Sequence, residues 1–222
     1  MRNELYNINC MKWMEDKPDN YYDLAMVDVP YGIGQGGKGN KSRRKLAIAK
    51  DYKDYGDDKS PDKGYFDELL RVSKNQIIWG ANHFISKIPY DSPCWIVWDK
   101  KNGKTDFADC ELAWTSFATA VRKCSFQWQG MIQGYGGNKD KNEIRIHPNQ
   151  KPVFIYKWML SKYAEKGFKL LDTHSGSGSF RVACYDMGFD LDSCELDKDY
   201  CESNNKRFTE HVRLDQMQGK LF

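Results

Sequence analysis

Short apolar runs alternate with stretches of helical spacing along this chain, and that alternation limits the fold more than any other feature. Leu5, Tyr6 and Ile8 mark a first strand, and a second runs from Tyr22 to Val27 before stopping at Asp28-Val29-Pro30-Tyr31-Gly32. Tyr65, Phe66, Leu69, Leu70 and Val72 keep helical spacing, and Gln76–Trp79 and Cys94–Trp98 read as strands. Leu112–Thr115 and Ser125–Trp128 follow so closely that an antiparallel hairpin is expected. A helix from Lys151 to about Glu165 should end on Gly167 as its C-cap. Next come a strand at Phe168–Asp172, a Gly-rich turn, a helix to Met187, a strand at Leu191–Glu195 and a helix from Asp197 to about His211. Such alternation predicts an α/β fold with a doubly wound, mostly parallel sheet. Ligands of such sheets lie at the carboxyl ends of the strands, where this sequence puts Asp28, Asp172 and Glu195.

Composition removes several function classes. Lys and Arg number 34 against 31 acids, a net charge of +3, so any nucleic-acid argument rests on where the basic residues sit. The seven Cys form no C-x-x-C pair and no secretory leader is visible. Disulfide and zinc frameworks therefore fail, and a reducing cytoplasm is expected. The four His are scattered, so no metal site is expected. No apolar run approaches the ~20 residues of a membrane span, so no membrane partner is expected either. The length fits one domain spanning 1–222, with a basic loop at 34–60 and a short insertion at 127–146.

Two constellations carry chemistry. Asp172-Thr173-His174-Ser175-Gly176-Ser177-Gly178-Ser179 turns between a strand and a helix, and its glycines let a ligand approach the backbone. Glu195, ending the next strand, can accept both ribose hydroxyls of a nucleoside-bearing cofactor. The missing third Gly disfavours a dinucleotide; alone, the segment also reads as an ordinary tight turn with a solvated Glu. In Asp28-Val29-Pro30-Tyr31, Pro30 biases Val29 towards extended backbone. A carboxylate, a carbonyl and an aromatic ring can then converge. Methyl transfer to an aromatic amine needs such a set: two acceptors on the N–H bonds favour a pyramidal nitrogen and stabilise its developing charge. The bland alternative is a strand end with a turn proline and a surface tyrosine.

Together these segments resemble the DNA amino-methyltransferases (adenine-N6 and cytosine-N4) of the beta class, in which the D-P-P-Y motif precedes the Gly-rich motif. His147-Pro148-Asn149-Gln150-Lys151-Pro152 is similar to H-P-T-Q-K-P, and Asn7-Ile8-Asn9-Cys10 to N-G-D-C. Ile78–Asn82, Trp98-Asp99-Lys100 and Glu111–Trp114 look like segments of small phage-type members. The resemblance implies a circularly permuted, seven-stranded Rossmann-like sheet, S-adenosylmethionine as cofactor, and a bacterial or phage-encoded enzyme. It implies Asp28, Val29, Pro30 and Tyr31 as the catalytic motif, with Asp28 and the Val29 carbonyl accepting from the amine and Tyr31 stacking on the base. Cofactor contacts are implied for Asn9, Asp28, Asp172, His174, Ser175, Gly176, Gly178 and Glu195. His147 and Lys151 either shape the same pocket or cap the following helix. Val29 departs from the first Pro of the motif, Thr173-His174 from Pro-Phe, and Asn9 from Asp; a catalytically inactive DNA-binding relative is the alternative these departures leave.

Asp at the motif head leans towards adenine N6, since Ser is commoner in the resembled cytosine-N4 enzymes. Either amine lies inside a duplex, so the base would have to flip out. Lys38, Lys41, Arg43, Arg44 and Lys45, directly after Tyr31, are candidate phosphate contacts on double-stranded DNA, as are Lys139, Lys141 and Arg145 in the insertion. A restriction partner, and monomer versus homodimer, stay open.

Overall fold

The computed structural model describes residues 1–34, 59–103, 108–129, 132–134, 143–147 and 149–218. Its elements in chain order are β1 (Asn3–Asn7), α1 (Cys10–Glu15), β2 (Tyr22–Val27), α2 (Lys63–Val72), β3 (Ser73–Trp79), β4 (Trp95–Asp99), β5 (Cys110–Thr115), β6 (Arg122–Ser125), β7 (Trp128–Gln129), β8 (Ile132–Gln133), α3 (Val153–Tyr163), β9 (Lys169–Asp172), α4 (Ser179–Met187), β10 (Asp190–Glu195) and α5 (Lys198–Gln218).

One eight-stranded sheet runs β1-β10-β9-β2-β3-β5-β4-β6. Every pairing from β1 through β3 is parallel. β5 alone runs the other way, antiparallel to both β3 and β4, and β6 lies parallel to β4 on the outside. The mostly parallel α/β sheet expected from the sequence is therefore present, with two corrections. It has eight strands, not seven. The expected hairpin between Leu112–Thr115 and Ser125–Trp128 does not form, because β5 is already bonded on both edges and β6 must take the free edge of β4. Trp128 instead pairs with Gln133 in a separate two-stranded ribbon.

Burial explains why β2 forms the centre. Leu24 to Val27 are at most 1% exposed, as a strand covered on both faces requires. Its side chains alternate: Leu24 and Met26 enter one core with Ile77, Trp79, Trp98 and helices α3 and α4. Ala25 and Val27 enter the other with Ile78, Trp114 and helices α1 and α2. The period of two thus sorts one strand into two layers of core. Helix starts follow local chemistry, with Asn9 Oδ1 accepting from Met11 N (2.8 Å) and Asp62 Oδ1 from Tyr65 N (3.0 Å).

Two helix ends differ from expectation. α3 stops at Tyr163, where Ala164 turns extended while still donating to Leu160, so Gly167 (φ +91°) shapes the next turn and is not the cap. α5 continues beyond His211 to Gln218. All seven Cys are free, with Cys184, Cys194 and Cys201 buried. Among the described residues, no helix is long and apolar enough to cross a membrane.

Candidate active site

The strand order decides which side chains meet. Five parallel strands bring the residues after β1, β10, β9, β2 and β3 to one edge of the sheet, and antiparallel β5 brings its first residues there too. Glu111 therefore sits opposite Trp98, one step from Lys100 and beside the chain leaving β2. Lys151, in the segment before α3, completes the group from above.

Lys151 Nζ lies 2.6 Å from Asp28 Oδ1, 3.1 Å from Glu111 Oε2 and 3.0 Å from the Tyr31 hydroxyl. Tyr31 donates to Asp28 Oδ1 (3.0 Å), with Glu111 Oε2 3.4 Å away. Lys100 forms an ion pair with the other oxygen of Glu111. Two ammonium groups thus face two carboxylates in a space where the Lys151 side chain is 4% exposed. Burial pushes Glu111 up, but Lys151 and Lys100 override it and hold it at about 2. Burial pushes Asp28 up as well, and with only one lysine against it and Glu111 nearby, its carboxyl stays above the ordinary value. Lys151 is favoured as the ammonium by Asp28 and Glu111, against its own burial. Among the described residues every hydrogen bond to Asp28 falls on Oδ1, and Oδ2 takes none.

Tyr31 is seated by a glycine. Gly80, just past β3, has φ +68°, and a Cβ there would lie 2.1 Å from Tyr31 Cε1. The tyrosine ring can lie over the end of β3 only because that side chain is missing. His83 stacks with the same ring at 5.2 Å and an interplanar angle of 20°. Val29, where the resembled motif has proline, is 2% exposed and packs in the core of α1 and α2. Apolar packing holds the strand end that a second ring would otherwise stiffen.

A second group of residues surrounds the turn between β9 and α4. Gly176 N donates to Glu195 Oε2 (2.8 Å), and Asp197 N to Glu195 Oε1 (2.9 Å). Ser175 N reaches the Cys194 carbonyl (2.9 Å), so the turn is sewn to the end of β10. From behind, Asn204 on α5 donates to Ser175 Oγ (2.9 Å) and to the Gly176 carbonyl (3.1 Å). Arg181 and Arg207 lock that support: Arg181 donates to Asn204 Oδ1 (2.9 Å), and Arg207 to the Ser177 carbonyl (2.8 Å). Asp172 is 5% exposed and accepts one bond, from His174 N (3.1 Å), with no ion pair among the described residues. Burial, helped by Asp28 and Glu195, pushes its carboxyl up to about 8. His174 Nδ1 meets Thr173 Oγ1 (2.9 Å), whose own partner is the Tyr65 hydroxyl (2.6 Å), and burial takes the imidazole down to about 4. A neutral ring, a buried carboxylate short of positive charge and a glutamate fixed by two backbone N–H groups fit a cofactor with ribose hydroxyls and a cationic tail. S-adenosylmethionine has both.

Other expected site residues are placed less directly. Asn9 lies beyond β1 with its side chain occupied as the cap of α1. His147 packs edge-on against Tyr200 (4.6 Å), accepts from Asn149 N through Nδ1 (3.2 Å), and is pushed down to about 4 by burial, Lys151 and Arg145. Lys151 does not cap the following helix; Glu143 Oε1 does, accepting from Val153 N (2.8 Å). Arg145 lies 5.9 Å from the Trp128 ring. Lys38, Lys41, Arg43, Arg44, Lys45, Lys139 and Lys141 lie outside the described residues. Glu111, Lys100 and Gly80 lie in segments that carry the family resemblance but were given no role from the sequence, and Asn204 and Arg207 were not singled out at all.

The family of N6/N4 methyltransferases, described as DNA methylase, matches residues 95–206, half of the chain. The chain belongs to this family: it is an S-adenosylmethionine-dependent DNA methyltransferase of the N6/N4 type. Over 238 residues it is 22% identical to the Type II methyltransferase M2.MboI of Moraxella bovis, covering 93% of this chain and 87% of that protein. Its fold is similar to that of the cytosine-N4-specific PvuII DNA methyltransferase (TM-score 0.60, 11% identity, 94% of this chain and 86% of that one). It is also similar to that of M1.HpyAVI in its SAM complex (TM-score 0.55, 16% identity, 92% and 98%). The family match starts at Trp95, so it takes in Glu111, Lys151, the Gly-rich turn and Glu195 but not Asp28-Val29-Pro30-Tyr31.

Proposed function

We propose that the chain methylates N6 of adenine in double-stranded DNA, after the base has flipped out of the helix, within a single catalytic domain. The observation that carries this reading is the state of Asp28: one oxygen is tied down by Lys151 and Tyr31, and the other takes no bond among the described residues. Oδ2 accepts one N–H of the target amine and the Val29 carbonyl accepts the second. Tyr31, seated on Gly80, stacks on the base. Bound S-adenosylmethionine supplies an electrophilic methyl on a sulfonium. As the N–C bond forms and the S–C bond breaks, positive charge grows on N6 and is met by the Asp28 carboxylate, which then receives the proton the amine sheds. Asp172, His174–Gly178 and Glu195 would hold the cofactor, with Asn9 and His147 flanking them. The basic loop at 34–60 and the 127–146 insertion with Arg145 hold the phosphate backbone.

Asp at the motif head supports adenine over cytosine. The test is methyl transfer from labelled S-adenosylmethionine to unmethylated duplex DNA, wild type beside Asp28→Ala, with nucleoside analysis of the product. N6-methyladenine that falls by at least about a hundredfold in the variant, with cofactor binding intact, is the expected result. N4-methylcytosine would replace only the base. No transfer by wild type despite cofactor binding would leave an inactive DNA-binding relative.

A further inference from the structure

We propose that Lys151 is the positioning residue of the methyl acceptor site, and that Glu111 with Lys100 is the counter-charge that keeps it there. The proposal rests on Asp28 being the acceptor of the target amine. It gives Lys151 a role away from the cofactor and enlists Glu111 in the reaction.

An ammonium has three N–H donors and no acceptor. All three are used: on Asp28 Oδ1 (2.6 Å), on the Tyr31 hydroxyl (3.0 Å) and on Glu111 Oε2 (3.1 Å). Nothing is left on Lys151 for a cofactor atom. Its side chain is 4% exposed, and a buried ammonium is tolerated only where it is paired. Asp28 alone could not hold it without giving up its own acceptor strength. Glu111 takes part of the charge, and Lys100 compensates Glu111 in turn. Lys151, kept charged in this way, holds Asp28 by Oδ1 together with Tyr31, and Oδ2 is shown to the base in one orientation. A target amine entering at Oδ1 would meet the ammonium; at Oδ2 it does not.

Backbone and packing fix where Lys151 stands. Pro152 disfavours helical backbone at Lys151. On the other side Gln150 is held in place: Trp128 Nε1 donates to its carbonyl (2.9 Å), its Oε1 accepts from Ile146 N (2.9 Å), and its Nε2 donates to the Ile144 carbonyl (3.2 Å). Trp128 belongs to the small β7–β8 ribbon, so the segment expected to read DNA is tied to the residue next to Lys151. Trp79 at 5.0 Å and Tyr31 at 5.4 Å present their rings to the ammonium as well.

The charged and titratable groups around this corner are Asp28, Tyr31, Glu111, Lys100, His147, Tyr156 and Asp172. Of these, Lys151 lowers and Glu111 raises the Asp28 carboxyl. The two substitutions that test the proposal therefore move the pH profile in opposite directions. Single-turnover transfer to duplex DNA is measured from pH 5 to 9 at saturating S-adenosylmethionine, for wild type, Lys151→Met and Glu111→Gln, with cofactor affinity measured by calorimetry. Lys151→Met is expected to cut the transfer rate by roughly ten- to a hundredfold, change cofactor affinity by less than about twofold, and move the acidic limb to higher pH. Glu111→Gln is expected to lose less rate and to move the same limb to lower pH. Should Lys151→Met fail to fold, the Glu111→Gln shift decides alone, and an unshifted limb overturns the proposal. A Lys151→Met protein with an unchanged rate, or one that loses cofactor affinity more than tenfold with its pH profile intact, also overturns it. Asp28→Ala in the same series separates the levels: an active Asp28→Ala removes the acceptor reading itself, whereas an inactive one beside a fully active Lys151→Met removes only the role of Lys151.

Discussion

The two halves of the site treat their carboxylates in opposite ways. On the proposed acceptor side, Asp28 and Glu111 are paired with Lys151 and Lys100, which outweigh burial at Glu111 and only partly offset it at Asp28. On the cofactor side, Asp172 and Glu195 are held by backbone N–H groups, and no cation lies in contact with either among the described residues. Glu111, half-buried, is held at about 2 and buried Asp172 rises to about 8, although both lie at the same edge of one sheet. The difference has a physical reading. A group that stabilises charge in a transition state gains from being ionised and fixed in advance. A group that binds a cation gains by lacking one until the ligand brings it.

That contrast can be broken most sharply at two glycines of equal geometry. Gly80 and Gly178 both have positive φ, +68° and +75°, and a Cβ at either would collide, with Tyr31 Cε1 at 2.1 Å or Asn204 Oδ1 at 2.3 Å. Gly80→Ala is expected to displace Tyr31 and lower the transfer rate by tens of fold, with cofactor affinity held within about threefold. Gly178→Ala is expected to do the reverse, weakening cofactor binding by about tenfold with a smaller loss of rate at saturation. Steady-state kinetics beside calorimetry separates the two. Equal losses in both parameters for both variants would mean that the halves do not act separately.

The next effect is set by protons. In the proposed site Asp172, at about 8 in the free protein, must be ionised to pair with the cationic tail of the cofactor, so that binding would release its proton. Affinity for S-adenosylmethionine is therefore expected to rise with pH from 6 to 8, by no more than about tenfold per unit, and to level off above 8. Asp172→Asn should flatten that slope. Calorimetry in two buffers of different ionisation enthalpy counts the released proton; a slope that survives Asp172→Asn would place the titrating group elsewhere. No such slope is expected from Glu111, whose charge is already fixed.

How much of this could be read in the sequence follows the range of the interactions. β2 was legible to the residue because a central strand is apolar on both faces, and the placement of Asp172, Gly176, Gly178 and Glu195 at a turn and a strand end was legible because the consecutive β9–α4–β10 segment contains them. Glu111 was visible only as part of the family-like segment Glu111–Trp114, and its place beside Asp28 emerges only once β5 is reversed and slotted between β3 and β4. The misplaced hairpin has the same cause: adjacency in sequence says nothing about an edge already taken. Lys151 was visible in its motif, but its direction depends on a contact with Asp28 123 residues away.

Asn204 shows the same limit and carries the smallest expected effect. On α5 it looks like part of a solvated polar face, Glu202-Ser203-Asn204-Asn205-Lys206, yet it is 0% exposed. Its amide donates to Ser175 Oγ and the Gly176 carbonyl while its oxygen accepts from Arg181, so it supports the Gly-rich turn from behind. Asn204→Ala removes those bonds, leaves Arg181 short of one partner, and opens the space against Gly178. The cost expected in stability is about 1–3 kcal/mol, that of leaving a buried donor unsatisfied. Cofactor affinity should fall only a few-fold, because Glu195 still holds Gly176 from the front. Thermal unfolding with and without S-adenosylmethionine measures both. The comparison predicts that the acceptor side is untouched, so the acidic limb of the transfer profile should stay where wild type has it; a shifted limb would show that the two charge environments are coupled through the turn.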